Sequence, residues 1–404
     1  MHRDEAFHLL VGWMVDGTGA PYSRRVLLTV SHRMISALET DFTGSLPTQH
    51  LVDLRQCTVI PALVDCHVHL SLSGKRDPDL RQRQVAMAFE RARSVIRGHL
   101  VDHLARGIMA VRDAGDHCGH SLRFRRELVA TESLPLVVHC AGRAWHARGR
   151  YGKVLGRAPA AGESLVDALR RSDEDVDQLK VIHSGINSLN EFGQATAPQF
   201  AFEDLRNAVS LARDRGLPTM VHANGEQPVG EAIAAGCRSL EHGYFMGLAN
   251  LQAMVENGVT WVPTVNPMVA LAGEASISPR QREIAARTVD HQLEQLRQAR
   301  ILGVTVALGT DSGSFGVLHG RAVAEELRLL IEAGFSLESA IQSATTHGAR
   351  LLGLTEAMGC LAPGFPASFI VVRGSPAELL EQLTTPHSIW VRGEVWNQVK
   401  QEKP

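Results

Sequence analysis

The chain has 404 residues, with 41 Lys or Arg against 43 Asp or Glu and a formal net charge of −2. That balance excludes a general electrostatic grip on nucleic acid or on an anionic membrane surface. A hydrophobic share of 44% with 21% charged residues excludes a disordered chain.

The split of the cations carries more. Five are lysines (Lys75, Lys153, Lys180, Lys400 and Lys403), which leaves 36 arginines. A lysine inside an apolar segment of this chain therefore needs a reason. The N-terminal MHRDEAFHLL is charged where a signal peptide needs an apolar core. No apolar run approaches the roughly 20 residues of a membrane helix. Cys57, Cys66, Cys118, Cys140, Cys237 and Cys360 are scattered, with no C-x-x-C pair. A reduced, cytoplasmic protein without a membrane partner is expected.

In chain order, residues 7–57 read as short strands and turns, among them VGWMVDGTG and SRRVLLTVSHRMISALE. A second rhythm begins at residue 58. Short runs rich in β-branched residues end in Gly, Asp, His or Asn: TVIPALVDCHVHL (58–70), GIMAVRDAG (107–115), LPLVVHCAG (134–142), QLKVIHSG (178–185), LPTMVHANG (217–225), RSLEHG (238–243), VTWVPTV (259–265) and VTVALGTD (304–311). These predict buried parallel strands. Amphipathic stretches such as 89–107, 202–216 and 277–303 fill the gaps and end in Gly, a helix stop. Residues 360–404 return to short strands, including PASFIVVRG and SIWVRGEVW.

Eight β-then-α units predict an α/β fold, a (β/α)8 TIM barrel over residues 58–359. A doubly wound open sheet is the alternative, weakened by the lack of a G-x-G-x-x-G after the first strand. Residues 1–57 and 360–404 are expected to form one small β-sandwich domain from both termini, with the barrel inserted between its halves.

His67 and His69 lie one residue apart at the end of the first predicted strand, so both imidazoles share a face. Two imidazoles on one strand end suit a transition metal, although two packed histidines would look the same. Lys180, His222, His242 and Asp311 recur at other strand ends, which a barrel gathers at one mouth. Lys180 lies in Gln-Leu-Lys-Val-Ile, where a free ammonium is costly to bury. Burial favours the neutral amine, which can add carbon dioxide to form a carbamate with two metal-binding oxygens. A snorkelling or ion-paired lysine is the bland reading.

With these residues in view, the chain resembles the amidohydrolase superfamily, in its binuclear form with a bridging carbamylated lysine. DGTG, IPALVDCHVHL, VRDAG, LKVIHSG, SLEHG, VPT, LGTDSG and LAPGFPASFIVV fall in the family's order across most of the chain. The prolidase-like and imidazolonepropionase-like branch, with its Xaa-Pro and Xaa-Arg or Xaa-Lys dipeptidases, is the most similar. The resemblance implies two divalent ions, zinc by default, with Mn, Fe or Ni also fitting such ligands. His67, His69 and Asp311 would hold the more buried ion, and His222 and His242 the more exposed one. Lys180, as its carbamate, would bridge both. Asp311 would also act as general base, then general acid.

The branch often carries a Gly-Gly-His-Gly segment that meets the substrate. Here the stretch is Arg148-Gly149-Arg150-Tyr151-Gly152, so Tyr151 takes the histidine's place, with His146 just upstream as another candidate. Arg143, Arg148, Arg150, Lys153 and Arg157 make this loop basic, and Arg150 is a candidate for binding a substrate carboxylate. The connection after Lys180 is long and polar, with His183 expected at the surface.

The expected function is metal-dependent hydrolysis of an amide in a dipeptide, N-acyl amino acid or cyclic amide. The expected partner is a small molecule, with a homo-oligomer allowed but not required. The same site could open a lactone or ester. A mononuclear deaminase would need H-x-x-E after the fifth strand, but here Glu226 is one residue too far from His222. A non-catalytic binding barrel would not be expected to keep every ligand position filled.

Overall fold

The computed structural model describes residues 6–131 and 134–396, so Lys400 and Lys403 lie outside the described residues. The strands in chain order are β1 (Phe7–Met14), β2 (Ser23–Ser31), β3 (Met34–Glu39), β4 (Leu51–Pro61), β5 (Leu63–Val68), β6 (Ile108–Asp113), β7 (Val137–Cys140), β8 (Ala144–Trp145), β9 (Gly156–Arg157), β10 (Leu179–Ile182), β11 (Thr219–Ala223), β12 (Ser239–His242), β13 (Thr260–Val262), β14 (Phe369–Arg373), β15 (Ser388–Val391) and β16 (Glu394–Val395).

The terminal strands form one seven-stranded sheet, ordered β16-β15-β14-β4-β1-β2-β3. β4 carries the junction between the two ends: it runs parallel to β1 and antiparallel to β14, pairing Ile60 with Ile370. Residues 58–61 thus belong to this ladder, past the boundary expected at 57. The sheet curls on itself. Trp390 of β15 stacks on Phe7 of β1, with centroids 5.5 Å apart, and on Phe369 of β14 at 5.4 Å. At the other edge Ile35 of β3 takes a backbone hydrogen bond from Gly364 and gives one to Phe365. Leu9, Val26, Leu28, Ile35 and Val371 fill the space enclosed.

The interior strands run parallel in two sheets, β5-β6-β7 and β13-β12-β11-β10-β8-β9. Every residue of β5, β6, β10, β11, β12 and β13 is buried, as strands covered on both faces require. Helices cover them. Pro279–Leu302 is a clear case: Ser278 and Gln281 form a capping box at its start, and Gly303 ends it at φ 80°.

The eighth predicted strand, 304–311, is not a regular strand. It joins the two sheets through isolated pairings, Val306 with Trp261 and Ser312 with Val68. Backbone hydrogen bonds from Trp261 to Thr305, Cys66 to Leu308 and Asp311 to His67 complete the seam. The ladder breaks because the chain must squeeze past two neighbours. A Cβ on Gly309 would stand 2.4 Å from Val262 Cγ1 and 2.8 Å from His67 Cβ. Two residues later Asp311 takes φ 56°.

Candidate metal centre

The period of β5 puts His67 and His69 on one side, with ring centroids 5.5 Å apart. Asp311 faces both: its Oδ1 is 3.2 Å from His69 Nε2 and 3.7 Å from His67 Nε2. The His242 ring lies 4.9 Å from that of His67 and 4.5 Å from that of His222. His242 and Asp311 both sit at positive φ, 68° and 56°, kinks at the strand ends that turn these side chains inward. Ligand atoms of His67, His242 and Asp311 all lie within 4.8 Å of one another.

Lys180 of β10 is 2% exposed, and its Nζ has no hydrogen-bond partner. Its register places it two residues before Ile182, the partner of His222 on β11. Burial pulls the Lys180 amine down to about 8, against the pull of Glu241. The imidazoles move the same way. Burial, then the Lys180 charge, lowers His67 to about 4 and His222 to about 3, and burial takes His242 well below its ordinary range. They are therefore neutral near pH 7, the form that binds a metal. Burial pushes Asp311 up, but the close approach of His69 and His67 outweighs it and holds the carboxylate well below its usual range. A cluster of neutral nitrogen donors, one ionised carboxylate and an unpartnered buried amine fits divalent ions.

Behind these residues stands a buried layer that the motif reading did not use. His67 Nδ1 donates to Glu241 Oε2 at 2.7 Å. Glu241 also takes hydrogen bonds from Arg112 at 2.9 Å and Ser239 at 2.5 Å, and Arg112 Nε reaches the Cys66 carbonyl at 2.6 Å. Burial alone would raise the Glu241 carboxyl, but Arg112, followed by His67, holds it at about 2. His69 Nδ1 donates to the Gly115 carbonyl at 3.0 Å, so both histidines turn Nε2 toward Asp311. His242 Nδ1 meets Thr264 Oγ1 at 2.6 Å. Asp65 accepts from Thr310 N at 3.0 Å and Thr310 Oγ1 at 2.6 Å, which fixes the residue before Asp311. Arg112 and Glu241 could have been found as Lys180 was, as charges inside apolar strand segments (VRDAG and SLEHG).

The predicted substrate loop divides. The Tyr151 ring lies 5.6 Å from that of His222. His146 is buried beneath the loop, its Nδ1 on the Ala147 carbonyl at 2.9 Å, and a Cβ on Gly152 would stand 2.6 Å from its Cβ. Arg150 is exposed and donates to the Ala197 carbonyl at 2.9 Å. Arg143 and Arg157 share Glu174. His183 is not a surface histidine: it is fully buried, its Nε2 lies 2.9 Å from Glu231 Oε2, and its carbonyl accepts from Gln199 N as the following loop folds back.

The comparisons with known proteins agree with this geometry. The sequence profile of the Amidohydrolase family matches residues 58–397. The chain belongs to the amidohydrolase family. An ochratoxinase from Aspergillus niger is 24% identical over 433 aligned positions, covering 96% of this chain and 86% of that protein. An imidazolonepropionase from Hahella chejuensis is 24% identical, covering 92% and 93%. A crystal structure of a Xaa-Pro dipeptidase with methionine in its active site superposes with a TM-score of 0.81 at 26% identity, covering 97% of this chain and all of that one. This amidohydrolase is therefore a metal-binding hydrolase of carbon–nitrogen bonds, acting on small molecules. No described helix is long and apolar enough to cross a membrane.

Proposed function

We propose that this amidohydrolase is a cytoplasmic two-metal enzyme that cleaves the amide bond of a dipeptide, N-acyl amino acid or cyclic amide. The observation that carries the reading is the Lys180 Nζ, buried without a partner beside His67, His222, His242 and Asp311. A permanent cation there would be strongly disfavoured, whereas a carbamate formed from the neutral amine and carbon dioxide gives two oxygens to share. His67, His69 and Asp311 would hold one ion, His222 and His242 the other, and Lys180 would bridge them, with zinc the default. Such ions, when bound, acidify water and polarise a carbonyl. Asp311 Oδ1, facing the two histidines of β5, takes the proton from the attacking water and returns it to the leaving nitrogen. Burial, then Asp311, pushes the Tyr151 hydroxyl up to about 12, so it stays protonated and donates to the carbonyl oxygen.

In this reading the two parallel sheets and the 304–312 seam close into the (β/α)8 barrel, residues 58–359. The curled terminal sheet, which β4 extends to Pro61, is the β-sandwich expected from the two termini. All six cysteines are free, in keeping with a reducing compartment. Glu226 is exposed in the first turn of its helix, which does not favour the deaminase alternative.

The test is a metal count with a substrate screen. Protein loaded with Zn or Mn in bicarbonate should hold close to two ions per chain and hydrolyse members of dipeptide or N-acyl amino acid libraries. A single ion with ammonia released from amino-heterocycles would replace this reading, and turnover confined to lactones would move it to esters.

A further inference from the structure

The strands that carry the candidate metal ligands at one end close round a cavity at the other. His222 and His242 stand at or next to the last residues of β11 and β12. Thr219, the first residue of β11, and Arg238, just before β12, line a cavity of about 330 Å³ together with Arg112, His139, Asp177 and Arg350. At about 3.3 Å per residue, Thr219 lies roughly 10 Å down its strand from His222. None of the lining residues is a candidate metal ligand.

The charges around this cavity do not balance. Asp177, the one carboxylate among the described residues that line it, is already used: it pairs with Arg125 and accepts from Cys140 N at 2.7 Å. Arg238 and Arg350 are exposed, and among the described residues neither guanidinium has a carboxylate partner or a hydrogen-bond acceptor. Arg112 is 4% exposed. It spends three of its five N–H groups, on the Cys66 carbonyl at 2.6 Å, Ser239 Oγ at 2.9 Å and Glu241 Oε1 at 2.9 Å. One N–H on each Nη is left for another partner. Two cations without counter-charge and a buried guanidinium with spare donors thus share one space. A phosphate group, with up to two charges and three acceptor oxygens, satisfies more of these donors than a carboxylate does.

The cavity is joined to the metal side by two hydrogen bonds. Arg112 Nη2 holds Glu241 Oε1, and Glu241 Oε2 accepts from His67 Nδ1. An anion on Arg112 draws on the charge that otherwise neutralises Glu241. Glu241 then presents a fuller negative charge to His67, and the opposite ring nitrogen becomes the better donor to a cation. Linkage makes the effect reciprocal, so a bound cation also tightens the anion.

We propose that this cavity is an effector site for a phosphate group, free or carried on a small metabolite, and that its occupation strengthens metal binding at His67 through Arg112 and Glu241. The link rests on the metal reading of His67, whereas the site does not.

Calorimetry on the Zn-loaded full chain tests the site, with inorganic phosphate, methyl phosphate and glucose 6-phosphate as probes. The unaltered protein should bind phosphate at this site. Phosphate can also ligate zinc, so the variants decide. Arg238→Gln and Arg350→Gln should each weaken binding about 10-fold or more, the double variant should lose it, and Arg238→Lys should keep part. Zinc content without phosphate should stay near two per chain in all of them. Tighter binding of the esters identifies a carried phosphate as the occupant, and tighter binding of inorganic phosphate identifies the free ion. Equal binding in the double variant, or none in the unaltered protein, overturns the site. Acetate binding as tightly as phosphate, and lost in the double variant, overturns the phosphate assignment. Chelator competition reads the link: saturating phosphate should raise zinc affinity about fivefold or more in the unaltered protein relative to the double variant. No difference, with arginine-dependent phosphate binding intact, overturns the link. Neither readout needs turnover, so a failure to cleave amides would count against the hydrolase reading alone.

Discussion

On the side of His67, His69 and His242, each ring has its Nδ1 held by a partner behind it: Glu241, the Gly115 carbonyl and Thr264. On the side of Lys180 and His222 only the imidazole is backed. The Lys180 Nζ has no hydrogen-bond partner, and His222 reaches the Gly185 carbonyl through Nε2 at 3.2 Å, so only its Nδ1 is left as a lone pair. On the first side the protein fixes the rings, although Asp311 Oδ1, which faces two of them, has no hydrogen-bond partner. The second is incomplete as protein and needs something from solution, which is what a bridging group and its ions would supply.

The largest expected effect follows from the unsatisfied side. Lys180→Ala removes the amine and leaves a space lined by histidines and Asp311. Metal content should fall from about two ions per chain, and kcat/KM by about a thousandfold or more, as when a unit of catalysis is broken. Acetate or propionate should restore part of the rate, because a free carboxylate can fill the space and offer two oxygens. A Lys180→Ala protein with two ions and full rate would show that Lys180 is not the bridge.

A smaller effect is expected on the braced side. Glu241→Gln keeps the shape but removes the charge that holds His67 Nδ1 and neutralises Arg112. Zinc affinity, measured by chelator competition, should fall about 10- to 100-fold, the usual cost of losing an outer partner of a metal histidine. Chemical denaturation should also show a loss of about 3–5 kcal/mol, since Arg112 would be left buried without its counter-charge. An unchanged zinc affinity would mean that the brace serves the fold and not the metal.

How much of this was legible in the sequence follows from the range of each interaction. The strands and the H-x-H pair are local patterns, and seven of the eight predicted segments contain a regular parallel strand. The eighth does not, because Gly309 must pass between Val262 and His67, contacts that no local window contains. The candidate metal-ligand positions come from the family resemblance as much as from spacing. Arg112 and Glu241 pair across 129 positions, so each reads as an ordinary charge until the fold brings its partner. His183 was misread for the same reason: polar residues around it predicted exposure, but the loop doubles back and Glu231 covers it.

The smallest expected effect concerns a brace one step further out. Glu326, fully buried in helix Ala322–Glu332, accepts from Val265 N at 2.8 Å, Asn266 N at 3.1 Å and Asn266 Nδ2 at 2.6 Å. It thereby pins the turn that carries Thr264, the partner of His242. Burial pushes the Glu326 carboxyl up to about 8, even though those three donors pull it down. Its folded value is then above its unfolded one, so between about pH 4.5 and 8 the folded protein keeps a proton that the unfolded chain releases. Its stabilising contribution is complete below that window and is lost as pH rises through it. The melting temperature should therefore fall by a few degrees between about pH 6.5 and 8, above the range in which the buried histidines titrate. Glu326→Gln cannot release a proton, so it should lose most of that slope while keeping metal content near two per chain. An equal slope in both proteins would place the titration elsewhere. A loss of metal with the slope would show that the turn below His242 is part of the braced side and not merely beneath it.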